Sequence, residues 1–240
     1  MNVFIDIETL PDMTPGELER ITEEVKANFK APAFLTKTQA VKDLGLDAKE
    51  AKFISAADIT LQWEKRFAEE KAPEVAKEQW RKGALSADKG GQILSIGFSV
   101  EGGNAETCYG DDDKLVIEAF ISKLTPHLKG RAPYFIGHNV PFDLEFIWKR
   151  SVITGSKLPF KVKPHGRHGA DFYDTMQAWA GFKGRISQDR LAKLLGLPEK
   201  PDDINGSNVL DHYLDGDHQR IQEYNVYDVE TVIDIYNRLN

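Results

Sequence analysis

The 240-residue chain carries 31 basic and 38 acidic residues, a formal net charge of −7, so it has no global positive field and any binding of nucleic acid requires a local patch. Cys108 is the single cysteine, which excludes an intrachain disulfide and a cysteine-based metal site. With no signal-peptide pattern after Met1 and no run of the roughly 18 apolar residues that a membrane span needs, we expect a soluble, cytoplasmic protein without a membrane partner.

The first predicted element is a strand, Asn2–Thr9. Apolar side chains at positions 3, 5 and 7 alternate with Asp6 and Glu8, which is the period of a strand. The two acids therefore project from one face, about 6–7 Å apart. Carboxylate oxygens are ligands that Mg²⁺ and Mn²⁺ prefer, so the pair is a candidate metal site; an edge strand with a solvated polar face is the alternative.

Residues 11 to about 90 have a different composition, rich in charged residues and good helix formers. Helices are predicted from Thr14 and Pro15 to Val25, from Ala57 or Asp58 to Glu70, and from Pro73 to Lys82. We interpret this segment as a mostly helical insertion into a single domain of residues 1–240. A solvated helical cap and a surface that contacts substrate or a second subunit both remain open.

Sequence patterns typical of β-strands occur again after the insertion. Gln92–Val100 and residues 105–109 predict a hairpin around the turn at Gly102, Gly103 and Asn104. Asp111 to Asp113 then start a helix, and we interpret these acids as helix caps rather than as a metal site. A short strand, Tyr134–Ile136, follows. This order predicts an α/β fold with a mixed sheet flanked by helices.

A polar motif follows that short strand directly. Pro141 suits the first turn of a helix, and Asp143 lies in the same turn, where the helix dipole favours an acid. Alone, Asp143 would be an ordinary helix-start acid. In open α/β sheets, however, ligands bind beyond the carboxyl ends of strands, which is where this residue falls.

The interval between Glu145 and Asp189 is the basic stretch of the chain. Its cations are Lys149, Arg150, Lys157, Lys161, Lys163, Arg167, Lys183 and Arg185, interleaved with Phe160, Trp179 and Phe182. Cations with interleaved aromatic residues suit a single strand of nucleic acid; a solvated loop is the alternative. For His165 and His168 we favour phosphate contact or no role over a metal pair. A strand at residues 170–175 leads to a helix near Thr175, and Ser187 begins another.

The last predicted helix, His218–Leu239, carries an acid inside its apolar stripe. Tyr224 and Asp228 are four positions apart, so both lie on the face turned to the core. A buried acid needs a cation or a hydrogen-bond partner. A metal would meet this need, and so would a Tyr–Asp hydrogen bond that only holds the helix.

These motifs form an ordered set: Asp6-x-Glu8, then Asn139-x-x-Phe142-Asp143, then Tyr224-x-x-x-Asp228. The set resembles the DEDD superfamily of 3′→5′ exonucleases, the DnaQ-like enzymes with a ribonuclease H-like fold. The tyrosine is typical of the DEDDy branch, because the other branch would have histidine where Glu223 stands. Residues 203–207, with the last motif, look most similar to stand-alone exonucleases related to the proofreading domain of family B DNA polymerases. The resemblance covers residues 1–10 and about 92–240.

The resemblance implies a two-metal hydrolase. Asp6, Glu8 and Asp228 would hold the first Mg²⁺ or Mn²⁺, with Asp143 supporting the second. Tyr224 would orient the attacking water without acting as the base. The terminal nucleotide would contact Thr9, Leu10, Asn139 and Phe142, while Asp174 would be a structural acid.

The predicted function is therefore metal-dependent 3′→5′ hydrolysis of single-stranded DNA with release of nucleoside monophosphates. An exoribonuclease is one alternative, because the motifs do not reveal contacts to the 2′-OH. A catalytically silent nucleic-acid-binding module is the other. The expected partners are 3′ ends of single-stranded DNA or RNA, with a separate polymerase, replication or repair protein as a further candidate.

Overall fold

The sheet is organised around the first strand. The computed structural model describes residues 1–198, 200 and 203–240. Within them the strands are β1 (Asn2–Leu10), β2 (Gln92–Val100), β3 (Glu106–Tyr109), β4 (Tyr134–Gly137) and β5 (Phe172–Asp174). The sheet order is β3-β2-β1-β4-β5. Strands β1, β2 and β3 pair antiparallel, whereas β4 pairs parallel with both β1 and β5, so the sheet is mixed, as predicted.

Helices occupy most of the remaining described chain. They are α1 (Glu17–Ala27), α2 (Lys37–Asp43), α3 (Ala56–Gly83), α4 (Asp113–Leu128), α5 (Val140–Thr154), α6 (Thr175–Ala180), α7 (Gln188–Leu194), α8 (Val209–Leu214) and α9 (His218–Leu239). Short 3-10 turns lie at Glu50–Phe53 and Ala87–Lys89. No helix in the described part of the chain is both long enough and apolar enough to cross a membrane.

The chain divides into two units, Met1–Pro11 with Ala84–Asn240, and Asp12–Gly83. The first contains the sheet and helices α4 to α9, and the second contains α1, α2 and α3. The division falls close to the predicted limits of the insertion. That the whole chain acts as one exonuclease domain stays a prediction.

The alternation of β1 assigns its side chains to two faces of the sheet. Val3, Ile5 and Ile7 join the core that contains Phe120 of α4 and Phe146 of α5. On the opposite face, Phe4 packs with Ile136 of β4 and with Val229 and Val232 of α9. Asp6 and Glu8 share the face of Phe4 because side chains alternate along a strand. The acids of β1 therefore face α9.

The second unit corrects two details of the sequence prediction. Helices ending at Glu70 and starting at Pro73 were expected, but α3 is continuous and contains Pro73. A proline inside a helix removes one backbone hydrogen bond. Here Ala72 and Ala76, on either side of it, are buried against Val25 of α1, and this packing outweighs the loss. Helix α1 also begins at Glu17, after Gly16, rather than at Pro15.

Elements of the first unit agree more closely with prediction. The hairpin of β2 and β3 and the bounds of α9 are confirmed. Asp112 caps α4 by accepting hydrogen bonds from the backbone N–H groups of Lys114 and Leu115, as expected, whereas Asp113 pairs with Arg150. Helix α8, of six residues, was not predicted.

Candidate active site

Three carboxylates meet between β1 and α9. Asp6 lies opposite Gly97 of β2, and Glu8 lies opposite Ser95. Asp228 approaches from α9, and one carboxylate oxygen from each acid lies within 4.8 Å of the others. Among the described residues, this is the one group of three or more histidine, cysteine, aspartate or glutamate side chains close enough to hold a metal ion.

Helix α9 presents Tyr224 and Asp228 to the site because they are one helical turn apart. Both side chains are buried, with 6% and 4% of their surface exposed. Ile221 and Val232 continue the same stripe into the core, and both are fully buried. The apolar stripe therefore fixes the depth at which these two polar groups enter the site.

Asn225 links the first acid to α9 and to the β-hairpin. Its Nδ2 donates to Asp6 Oδ2 at 2.9 Å, and its Oδ1 accepts from Thr107 Oγ1 at 2.9 Å. Gly97 makes this approach possible, because a Cβ there would lie 2.8 Å from Asn225 Oδ1 and 2.9 Å from its backbone oxygen. Neither residue was predicted from the sequence. Asn225 follows Tyr224, but nothing in its local pattern indicates a contact with β1.

Lys200 is the cation of the site, and it too was missed. Its Nζ pairs with Asp228, lies 2.9 Å from Asp189 Oδ1, and lies 4.9 Å from the centroid of the Tyr224 ring. Gln188, at the start of α7, adds a hydrogen bond of 2.8 Å from Nε2 to the backbone oxygen of Asp228. Asp228 is thus held by neighbours from outside α9.

Asp143 lies beside the three-carboxylate group rather than within it. Its Oδ1 accepts a hydrogen bond of 3.1 Å from the backbone N–H of Ile7, the residue between Asp6 and Glu8. The first turn of α5 therefore touches β1 at the level of the site. The Asp143 side chain is buried, so its position is set by packing as well as by this bond.

The turn that positions α5 is held by Asp174 and His138. Asp174 Oδ1 accepts hydrogen bonds from the backbone N–H of Asn139 at 2.8 Å and of Met176 at 3.0 Å, so it is a structural acid, as predicted. His138 Nε2 donates to Ile186 O at 2.8 Å. Burial lowers the pKa of His138, so the ring is neutral and its Nδ1 can accept from Thr175 Oγ1.

Burial and mutual repulsion raise the pKa values of the site acids. Desolvation is the largest cause for Asp6, Glu8, Asp143 and Asp228 alike, and Asp228 adds repulsion to the other three. Lys200 acts in the opposite direction on Asp6, Glu8 and Asp228. One ammonium group does not balance four carboxylates, so the site has a net negative charge when ionised.

Tyr224 and Lys200 both keep their protonated forms at neutral pH. Burial raises the pKa of Tyr224 far above its usual value of about 10, and Glu8, Asp228 and Asp6 raise it further. Burial opposes the charge of Lys200, but Asp228 and Asp189 outweigh it and raise the pKa of that ammonium. Tyr224 is thus a hydrogen-bond donor rather than a base.

The residues fit a hard divalent cation. The donors are oxygens only, which suits Mg²⁺ or Mn²⁺, and the excess negative charge is what such an ion would offset. Ser95 adds a second observation: its Oγ is fully buried opposite Glu8 and has no hydrogen-bond partner among the described residues. A hydrated cation beside Glu8 would satisfy that hydroxyl. The identity of the metal remains a prediction.

The four predicted substrate contacts differ in accessibility. Asn139 is exposed, with a left-handed backbone φ of 63° at the N-cap of α5. Thr9 and Phe142 are partly exposed, whereas Leu10 is only 3% exposed and offers little surface to a ligand. These four contacts stay predictions.

Within the basic stretch, several cations are already paired. Lys149 pairs with Asp88 and Glu145, Arg150 with Asp113, and Lys163 with Asp171. The two histidines do not form a metal site among the described residues: His165 is exposed, while the His168 ring packs against Tyr173 with centroids 5.0 Å apart. The basic stretch is therefore not one continuous cationic surface.

Comparison with known proteins agrees with this geometry. A family model described as a predicted 3′-5′ exonuclease related to the exonuclease domain of PolB matches residues 111–240, more than half of the chain. The match includes Asp143, Tyr224 and Asp228, while Asp6 and Glu8 precede it. No curated protein matches the chain. The mixed sheet flanked by helices is that of a ribonuclease H-like exonuclease, and the chain belongs to this family of predicted 3′-5′ exonucleases, a family of hydrolases.

Proposed function

We propose that this protein is a DEDDy-type 3′→5′ exonuclease that uses two divalent metal ions to remove nucleoside monophosphates from the 3′ end of single-stranded DNA. The observation that carries the proposal is the meeting of Asp6, Glu8 and Asp228 within 4.8 Å, with Asp143 hydrogen-bonded to β1 beside them. The order of these acids along the chain and the family membership support it.

To hydrolyse a phosphodiester, the site must stabilise negative charge. A phosphodiester resists hydrolysis because negative charge develops on the attacking and leaving oxygens beside an anion. Two divalent ions, when bound, stabilise both oxygens. Asp6, Glu8 and Asp228 would hold one ion and Asp143 would support the other. Asn225 keeps the Asp6 carboxylate in its orientation, and this orientation is fixed before substrate arrives.

Tyr224 has a positioning role in this proposal. Its hydroxyl stays protonated because burial and three nearby acids raise its pKa. In this structure the hydroxyl donates its hydrogen bond to Asp228, and during the reaction it would orient the attacking water rather than remove a proton from it. Lys200, above the Tyr224 ring and paired with Asp228, limits the motion of both side chains.

The test uses 5′-labelled single-stranded DNA and RNA of one sequence, with Mg²⁺, Mn²⁺ or EDTA. A ladder that shortens from the 3′ end of DNA and disappears with EDTA is the expected result. A ladder on RNA alone would replace the proposed substrate but keep the reaction. Binding without a ladder under any condition would overturn the proposal in favour of a silent nucleic-acid-binding module.

The cellular role is a further part of the proposal. A separate polymerase, replication or repair protein would supply the 3′ end if the enzyme proofreads. Co-purification of the tagged full chain with a polymerase, compared with the Asp228→Asn variant, would test this. An enzyme that never associates with such a protein would act on free ends instead.

A further inference from the structure

Two exposed aromatic side chains lie in the segment between Asp174 and Gln188, two residues that contact parts of the candidate site. Trp179, in α6, is 48% exposed, and Phe182, just after α6, is 82% exposed. Exposing two large aromatic rings so close together in the chain gains nothing for the hydrophobic core. Flat aromatic surfaces are what unpaired bases stack on.

Glycines set the shape of this segment. Gly184 N donates to Gly181 O at 3.1 Å, which closes a turn with Phe182 and Lys183 at its two central positions. A Cβ at Gly184 would lie 2.0 Å from the backbone oxygen of Ala180, so only glycine fits there. The turn therefore projects one aromatic and one basic side chain away from the protein.

Both ends of the segment are anchored beside the catalytic acids. Helix α6 starts directly after Asp174, which binds the backbone of Asn139. At the other end Ile186 O accepts from His138, and Gln188 donates to Asp228 O at 2.8 Å. The residues between Phe182 and Gln188 span at most about 20 Å even when fully extended, so Phe182 lies within a few nucleotides of Asp228.

Two cations follow the aromatic residues in the chain. Lys183 and Arg185 are exposed, and neither forms an ion pair with another described residue. By contrast, Lys149, Arg150 and Lys163 of the basic stretch are engaged with acids. Unpaired cations are the ones free to bind phosphate groups.

Lys161, another cation of the stretch, lies at the other end of the sheet. Strand β4 runs from Tyr134 to Gly137, and Gly137 pairs with Asp174, immediately before α6. Lys161 lines a cavity with Arg131 and Tyr134, where β4 begins. The sheet thus separates Lys161 from Lys183 and Arg185.

We propose that residues 179–185 form the binding site for the unpaired nucleotides next to the 3′ end, whose bases stack on Trp179 and Phe182 while Lys183 and Arg185 contact their phosphates. The inference rests on the proposed function, since it assigns a substrate site to that enzyme. It makes the enzyme selective for ends that are already single-stranded, because paired bases cannot stack on the rings.

The experiment measures binding by fluorescence anisotropy with a labelled oligothymidylate of about 15 nucleotides in EDTA, so that the strand stays intact. The double variant Trp179→Ala/Phe182→Ala should bind at least about 30-fold more weakly, since two stacking contacts are lost. Lys183→Ala/Arg185→Ala should weaken binding and reduce the slope of log K against log salt concentration by about 1.4. Trp148→Ala, which removes another exposed ring, and Arg131→Ala/Lys161→Ala, which removes a matched pair of cations, should bind like wild type.

A second substrate separates stacking from a change in folding. Wild type should bind a strand whose 3′-terminal nucleotides lack bases more weakly than it binds the intact strand. The aromatic double variant, which already lacks the stacking contacts, should bind the two strands equally. Equal weakening of the variant on both strands would overturn the stacking site. If wild type shortens DNA but the aromatic variant binds like wild type, this inference is wrong and the proposed function stands. If wild type neither binds nor cuts any strand, the proposed function fails.

Discussion

Buried acids occur in two places in the same unit. In one place their negative charge is balanced by a cation, and in the other it is not. Asp113, at the start of α4, is matched by Arg150 of α5, one acid to one base. At the candidate active site there are four carboxylates, and Lys200 lowers the pKa values of only three of them, Asp6, Glu8 and Asp228. A balanced buried ion pair such as this one can link two helices, here α4 and α5, without leaving an uncompensated charge. An unbalanced group costs stability, so it indicates a site that acquires its missing positive charge on binding.

The strongest test of this contrast is to neutralise one acid at the site. Asp6→Asn and Asp228→Asn should each lower the rate of nucleotide release by about 10³-fold or more, because a misplaced metal loses several kcal/mol of charge stabilisation and each 1.36 kcal/mol is tenfold. Single-turnover hydrolysis of a labelled strand measures this. Asp113→Asn is the control, and its folded fraction should cut at the wild-type rate. Unchanged activity in both site variants would contradict the assignment.

The balanced pair should show the reverse behaviour. Asp113→Asn leaves Arg150 buried without its partner, which should lower the free energy of unfolding by about 3–5 kcal/mol. Urea unfolding monitored by circular dichroism would measure the loss. Asp6→Asn in EDTA, by contrast, should be at least as stable as wild type, since it removes one repelling charge. Equal destabilisation by both substitutions would remove the distinction between the two groups.

The stability of the metal-free protein should depend on pH through the unbalanced acids of the candidate site. The pKa values of Asp6, Glu8 and Asp143 are raised on folding, so the native state binds more protons than the unfolded state at pH values above the ordinary carboxyl range. Their contribution to the free energy of unfolding is therefore lost as the pH rises from about 4 upward.

Thermal unfolding in EDTA across this range, for wild type and Asp6→Asn, isolates the site from the surface acids. The advantage of Asp6→Asn should grow with pH, and saturating Mg²⁺ should reduce it. An advantage that does not change with pH would mean that the site acids ionise as readily as in the unfolded chain, and one that shrinks would mean that folding lowers their pKa values.

The smallest effect is expected at Tyr224. Tyr224→Phe keeps the ring beside Lys200 but removes the hydroxyl, so the rate should fall by about tenfold, the value of one hydrogen bond to a charged or reacting group. Metal affinity, followed by titration with Mn²⁺, should change little. A loss as large as that of Asp6→Asn would mean that the hydroxyl does more than orient water.

Local sequence patterns predicted those helices and strands whose formation depends mainly on the residues within them. The alternation around Asp6 and Glu8 identified β1, and the stripe with Tyr224 and Asp228 identified α9, because each follows one structural period over many residues. The continuity of α3 through Pro73 could not be predicted in this way. It depends on packing against α1, which is a tertiary effect.

The site residues that were missed depend on contacts distant in sequence. Asn225 binds Asp6 across 219 positions, and no spacing rule connects a lone asparagine to a strand so far away. Lys200 lies outside any described helix or strand, so it has no periodicity to indicate where its ammonium points. Motifs therefore identified the acids that meet at the candidate site, whereas the groups that orient them became visible only in the fold.

The close approach at Gly97 also matters for recognising active relatives in newly sequenced genomes. A chain could retain all four acids and the tyrosine, yet carry a larger residue where Gly97 stands. Its side chain would push Asn225 away, and the first acid would lose the amide that orients it. A search for functional enzymes should therefore require a glycine and an asparagine at these two positions, and a chain that has the acids without them is a candidate pseudoenzyme.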